Sequence, residues 1–221
     1  LERPLEFMNE IHDVLDDEGL WLFEQSYMPA MIHANSYDTV CHEHLLYYGL
    51  KQIKWLTDRA GLKIVDVEVN KVNGGSIAVM AAKSNSSYRE NSDLVNDLLS
   101  TERNGGFSTL TPYVNFSECV QNHKREFCDA IGQLKREGSV YCGYGASTKG
   151  NVILQFCELT AKEIPFIAEV NERKFDCFTP GSNIPIISEE NARAKNPEVF
   201  IVFPWHFKEA ILKKEKLFLN N

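Results

Sequence analysis

Residues 139–151 read SVYCGYGASTKGN, and the reading of this stretch decides the fold. Ser139–Tyr144 is an apolar, aromatic run of strand length, and Gly143 and Gly145 punctuate its end. VILQFCEL (152–159) follows with a helical pattern. Downstream, IPFIAEVN (164–171) reads as the next strand, SEENARA (188–194) as a short helix and EVFIVFPW (198–205) as a further strand. Strands that alternate with helices imply a parallel sheet with right-handed crossovers.

Working upstream, RPLEFMNEIHDVLDD (3–17) places Leu5, Met8, Ile11 and Leu15 at helical spacing. GLWLFEQSY (19–27) reads as a short apolar strand, and MPAMIHANSYDTVCHEH (28–44) has no clean period and reads as a long loop. A helix is expected from Leu45 to Ala60, stopped by Gly61. LKIVDVEVN (62–70) and GGSIAVMAAK (74–83) read as an antiparallel hairpin joined through KVNGG. Residues 84–106 read as a polar linker with one helix, and Tyr113–Glu137 as a long helix. The expected organisation is a first α/β part at 1–83, a linker with helices at 84–135, and a Rossmann-like part at 136–221.

Composition narrows the function. The hydrophobic share of 43% is that of a globular chain with a packed core. A formal net charge of −8 argues against a nucleic-acid partner, which needs clustered Lys and Arg. No apolar run approaches membrane-spanning length, and no signal-peptide pattern is present, so a cytoplasmic location is expected. The six cysteines form no CxxC pair, and Cys142 and Cys157 lie among apolar neighbours as small hydrophobes. The chain opens at Leu1 inside a helical pattern, which suggests a piece of a longer polypeptide.

The glycine turn admits two readings. Backbone N–H groups and a helix N-terminus there would face an anion, with Ser147, Thr148 and Lys149 adding hydroxyls and a cation. Glu169 and Asn171, at the end of the next strand, would face the same crevice. Alternatively the glycines only solve a backbone problem. Neither a dinucleotide fingerprint nor a P-loop fits: Thr148 stands at the third glycine position, and Lys149 precedes Gly150 rather than following it.

Cys41-His42-Glu43-His44 concentrates titratable groups in four positions. Extended backbone would put His42 and His44 on one face as a metal half-site, yet HEHLL lacks the HExxH spacing. Acid–base chemistry suits the cluster better, because imidazole titrates near neutrality. With a helix beginning near Leu45, the helix dipole would hold His44 neutral and ready to accept a proton. A polar loop with one satisfied histidine is the competing reading.

YDTVCHEHLLYY, VNGGS, GYGASTKGN, and PGSNIPI with VFPWHF occur in this order. Together they resemble the S-adenosylmethionine-dependent sugar C-methyltransferase family, whose members methylate a ring carbon of nucleotide-linked 4-keto deoxysugars. The order helix, strand, loop, helix, strand, antiparallel strand likewise resembles the trailing part of a class I methyltransferase sheet. The resemblance implies an α/β fold: that trailing sheet, then a Rossmann-like C-terminal domain. It also implies that a zinc-binding domain and the cofactor's glycine-rich loop precede this chain in full-length members, leaving the cofactor pocket incomplete here. By resemblance His44 is the base that forms an enolate and Glu43 its companion. Cys41 stands where members often carry a tyrosine of the active site. Tyr144, Ser147, Thr148, Lys149 and Asn151 would face the nucleotide-linked sugar, with Asn171 and His206 as weaker candidates and Asn73 and Ser76 lining the sugar pocket. Two other functions remain open on the turn alone: a non-catalytic nucleotide or nucleotide-sugar binding module, and an NAD(P)-dependent oxidoreductase using Glu169.

Overall fold

The computed structural model describes residues 2–220, with Asn73 by its backbone alone. The chain forms two compact units: one from residues up to Tyr37 plus His42–Cys119, the other from Asp38–Cys41 plus residues from Val120 onward. The Asp38–His44 stretch therefore supplies residues to both.

The first unit begins with α1 (Pro4–Val14), whose Pro sits in the first turn where a missing N–H costs nothing. β1 (Trp21–Ser26), α2 (Met28–His33), α3 (Leu50–Arg59), β2 (Leu62–Asn70), β3 (Ser76–Lys83) and α4 (Ser92–Asn104) follow. β3 lies between β1 and β2 and runs antiparallel to both, in the order β1-β3-β2. The alternating apolar residues Ile77, Val79 and Ala81 of β3 are fully buried. They face a core with Leu50 and Ile53 of α3 and Val95 of α4, and Met8 of α1 joins Leu56 in a neighbouring cluster.

Two expectations upstream of α3 are corrected. Residues 28–44 are not a featureless loop, since α2 and a 3-10 turn at Tyr37–Thr39 lie within them. Six residues are too few to show a period, and Pro29 disguises α2 while suiting its first turn. The α3 helix begins at Leu50 rather than Leu45. Tyr48 is drawn into a bridge with Tyr27, and Met28 N–H donates to the Tyr48 carbonyl at 2.8 Å. The chain can start its helix only after that tie.

α5 (Thr111–Glu137) gives its first turns to the first unit and the rest to the second. In the second unit β4 (Tyr141–Tyr144), α6 (Thr148–Phe156), β5 (Ile167–Glu169), β6 (Ile186–Ser188), α7 (Glu189–Arg193), β7 (Val199–Val202), α8 (Lys208–Lys214) and α9 (Lys216–Leu219) follow in order. The four strands are parallel, in the order β6-β5-β4-β7. The chain thus has the methyltransferase-type α/β fold. The last residue of PGSNIPI opens β6, the sheet's edge strand. Among the described residues, no helix is long and apolar enough to cross a membrane.

Candidate active site

In the first unit the chain leaves α2 and re-enters before α3 as an irregular segment carrying Glu43 and His44. Both line a cleft of about 640 Å³, together with Gln25, Ser26, Tyr48 and Ser76. Apart from Glu24 the rest of its wall is apolar and aromatic, with Trp21 and Phe23 stacked at 4.1 Å between ring centroids. A volume of this size suits a small organic ligand, and a few polar groups against an apolar wall would orient it. His42 is turned outward with its side chain 84% exposed. Because α3 starts six residues beyond His44, the helix dipole, which acts within the first turn, does not reach the imidazole. The dipole account of a neutral His44 is thereby withdrawn.

Ser76 is buried, and its hydroxyl donates to the Val72 carbonyl at 3.1 Å within the hairpin turn. The Asn73 side chain lies outside the described residues.

In the second unit the glycine turn is closed from within. Gly145 N–H donates to the Ala168 carbonyl at 2.8 Å, and Gly150 N–H to the Ser147 hydroxyl, which caps α6, at 2.9 Å. Ala146 N–H donates to the Glu169 carboxylate at 2.8 Å. Glu169 also accepts from Val170 and Asn171 N–H at 2.8 and 3.0 Å, with Lys174 Nζ 3.7 Å away. The Gly145, Ala146 and Gly150 N–H groups are thus spent within the turn, and the Glu169 carboxylate, expected to face the crevice, is turned onto the backbone. Gly145 has φ +84°, and a Cβ there would stand 2.7 Å from Pro204, so the turn and the VFPWHF segment pack against one another.

Two further expectations change with the side chains in view. Tyr144 does not face a ligand: it is buried, its hydroxyl donates to Glu189 at 2.6 Å and Glu215 at 2.9 Å, and Lys214 donates to it at 2.9 Å. Arg193 completes this network on Glu215 at 2.7 and 2.8 Å. Asn171 is exposed and caps a short 3-10 turn by accepting from Arg173 N–H at 3.1 Å.

What the second unit brings together is Lys149, Asp38, Cys41 and His206. Burial holds the Lys149 ammonium below its usual pKa, against the opposing pull of Asp38 and Cys41. Burial also lowers His206, helped by the Lys149 charge and opposed by Asp38. Among the described residues, the Nδ1 of His206 and the Oδ1 of Asn151 are both buried without a hydrogen-bond partner. Asp38 is only 2% exposed and accepts from the Trp205 indole at 2.8 Å. Asp38 was missed from the sequence, because nothing in YDTV marks a residue whose partner lies 167 positions away.

The sheet with an inserted antiparallel strand, followed by a parallel unit, defines an α/β protein of the methyltransferase type. Residues 71–221 match the family described as the C-methyltransferase C-terminal domain. The chain belongs to that family. It is also 32% identical, over 216 residues, to the C-methyltransferase NovU of Streptomyces niveus; the match covers 98% of this chain and 51% of that relative. The chain spans about half the length of the curated relative it matches.

Proposed function

We propose that this chain contributes the base and the substrate side of an S-adenosylmethionine-dependent C-methyltransferase acting on a ring carbon next to the ketone of a nucleotide-linked keto-deoxysugar. The observation that carries the reading is the shared cleft of Glu43, His44 and Ser76 in a chain of this family. A carbon beside a ketone must lose a proton before it can accept a methyl group. An imidazole lining the cleft is the group suited to take that proton, and polar neighbours would hold the enolate oxygen. Glu43 orients the sugar or the imidazole.

S-adenosylmethionine would supply the methyl group. Among the described residues the first unit has no strand followed by a glycine turn and a helix, the feature that cradles such a cofactor, so no residue here is assigned to it. On the nucleotide side, Thr148, Lys149, Asn151 and His206 would face the ligand, Cys41 stands in the same cluster, and Tyr144, Ser147 and Asn171 hold the frame. The test is methyl transfer by the full-length gene product to a nucleotide-linked keto-sugar, with His44→Ala beside the parent. A loss of about 100-fold or more is expected for removal of a general base; unimpaired turnover would exclude His44 from that role.

The cluster around Lys149 supports a second reading, a nucleotide-binding module without chemistry. It requires that the chain alone bind a nucleoside diphosphate in calorimetry and that Lys149→Ala abolish the heat. Absence of heat with any nucleotide or nucleotide sugar would remove it.

A further inference from the structure

We propose that Glu102 is a positioning residue for His44, acting from α4 on the point where the histidine-bearing segment enters α3. The inference rests on the reading of His44 as the base.

Glu102 is 6% exposed, and no cation pairs with it among the described residues. Its carboxylate accepts from Tyr27 O–H at 3.0 Å, Leu50 N–H at 2.5 Å and Lys51 N–H at 3.1 Å. Leu50 and Lys51 open α3, so their N–H groups have no partner inside the helix. An N-cap side chain normally supplies the acceptor, but the residue at that position is Gly49. A Cβ on Gly49 would stand 3.0 and 3.1 Å from the two Glu102 oxygens. Glycine leaves room for a carboxylate from another helix to do the capping, and the positive end of α3 stabilises its charge.

The same carboxylate reaches the segment by a second route. Tyr27, whose hydroxyl it holds, donates its N–H to the Gly75 carbonyl at 3.0 Å and bridges Tyr48. Tyr48 lines the cleft with Glu43 and His44. The far end of the His44–Tyr48 segment is therefore fixed twice, and both fixings converge on Glu102. Without that acceptor two helix N–H groups and a phenol lose their partner, and the segment loses its anchored end. A displacement of about 1 Å at a reacting group costs on the order of 100-fold in rate.

The experiment compares Glu102→Gln and Glu102→Asp with the parent full-length gene product. It measures kcat and KM for the keto-sugar, and records the imidazole NMR signals of His44 under conditions where each protein is folded. For Glu102→Gln a fall in kcat of about tenfold or more is expected, with KM within about twofold. Partial recovery is expected in Glu102→Asp. The His44 signals should shift while those of His123 and His206, in the second unit, stay in place. If Glu102→Gln does not fold, Tyr27→Phe is judged by the same two readouts and should move both in the same direction by less. Unchanged kcat, a change confined to KM, or unmoved His44 signals in a folded variant would each overturn the proposal. His44→Gln separates the two ideas. Turnover retained there removes the base, whereas shifted His44 signals in Glu102→Gln stand whatever His44 does.

Discussion

The Trp205 indole Nε1 donates a 2.8 Å hydrogen bond to the Asp38 carboxylate, which is almost wholly buried. This bond ties Asp38 into the second unit, to which Asp38–Cys41 belong. Trp205→Phe keeps the aromatic bulk and removes the donor. It should cost the second unit about 1–3 kcal/mol, the range for a buried acceptor left unsatisfied. Denaturant unfolding followed by a probe in the second unit measures it, and a cost no larger in the parent than in an Asp38→Asn background would refute the assignment.

Stability should depend on pH through His206. Burial and the Lys149 charge hold its folded pKa below the ordinary 6.5, with Asp38 opposing. A depressed pKa means that the folded state resists protonation. Its contribution is therefore complete above the unfolded value and is lost as pH falls below about 6.5 towards the folded pKa. Unfolding midpoints across that window should fall more steeply in the parent than in His206→Gln. Parallel curves would show that the imidazole is not the group involved.

Gly145→Ala combines a left-handed φ of +84° with a Cβ placed 2.7 Å from Pro204. Strain and overpacking together should cost about 2–4 kcal/mol. A melting temperature within a degree or two of the parent would mean that the turn and Pro204 can move apart freely.

The cysteines should differ in reactivity. Burial pushes the Cys142 thiol up to about 12, and Cys157 is also buried, whereas Cys119 and Cys177 are exposed. A thiol disulfide reagent at neutral pH should label Cys119 and Cys177 first and Cys142 only on unfolding, because the thiolate is the reacting form. Peptide mapping after a short exposure decides the order, and early label on Cys142 would contradict it.

Glu215→Ala should loosen the C-terminal helices. It removes the acceptor of both Arg193 bonds and of one Tyr144 bond while leaving Glu189 with Lys214 at 2.5 Å. The expected cost is about 3 kcal/mol, the low end for breaking a buried pair because Arg193 is partly exposed. Proteolysis should then cut first within residues 208–219.

The periodic elements were legible in the sequence because their partners are near in the chain or their apolar stripes are long. α1, the β2–β3 hairpin, α5 and the β4–α6 turn are of this kind. α2 and β6 were illegible, being too short for a period. The start of α3 was misjudged because its cap is the carboxylate of Glu102, 52 residues on from Leu50. Glu43, His44 and Ser76 are singled out by the sequence as residue types, and all three line one cleft. Lys149, Cys41 and His206 were named singly, but their common neighbour Asp38 was not, since its role is made by a tertiary partner. Tyr144 and Glu169 were misread because strand position suggests a direction but not which distant group will claim a hydroxyl or a carboxylate.

Glu169 gives the glycine turn an anion of its own. With that carboxylate seated on three main-chain donors, the loop's shape does not wait for a ligand to complete it. The side chains of the turn project from a frame already assembled. Any attempt to give the turn a dinucleotide's pyrophosphate must therefore first evict Glu169.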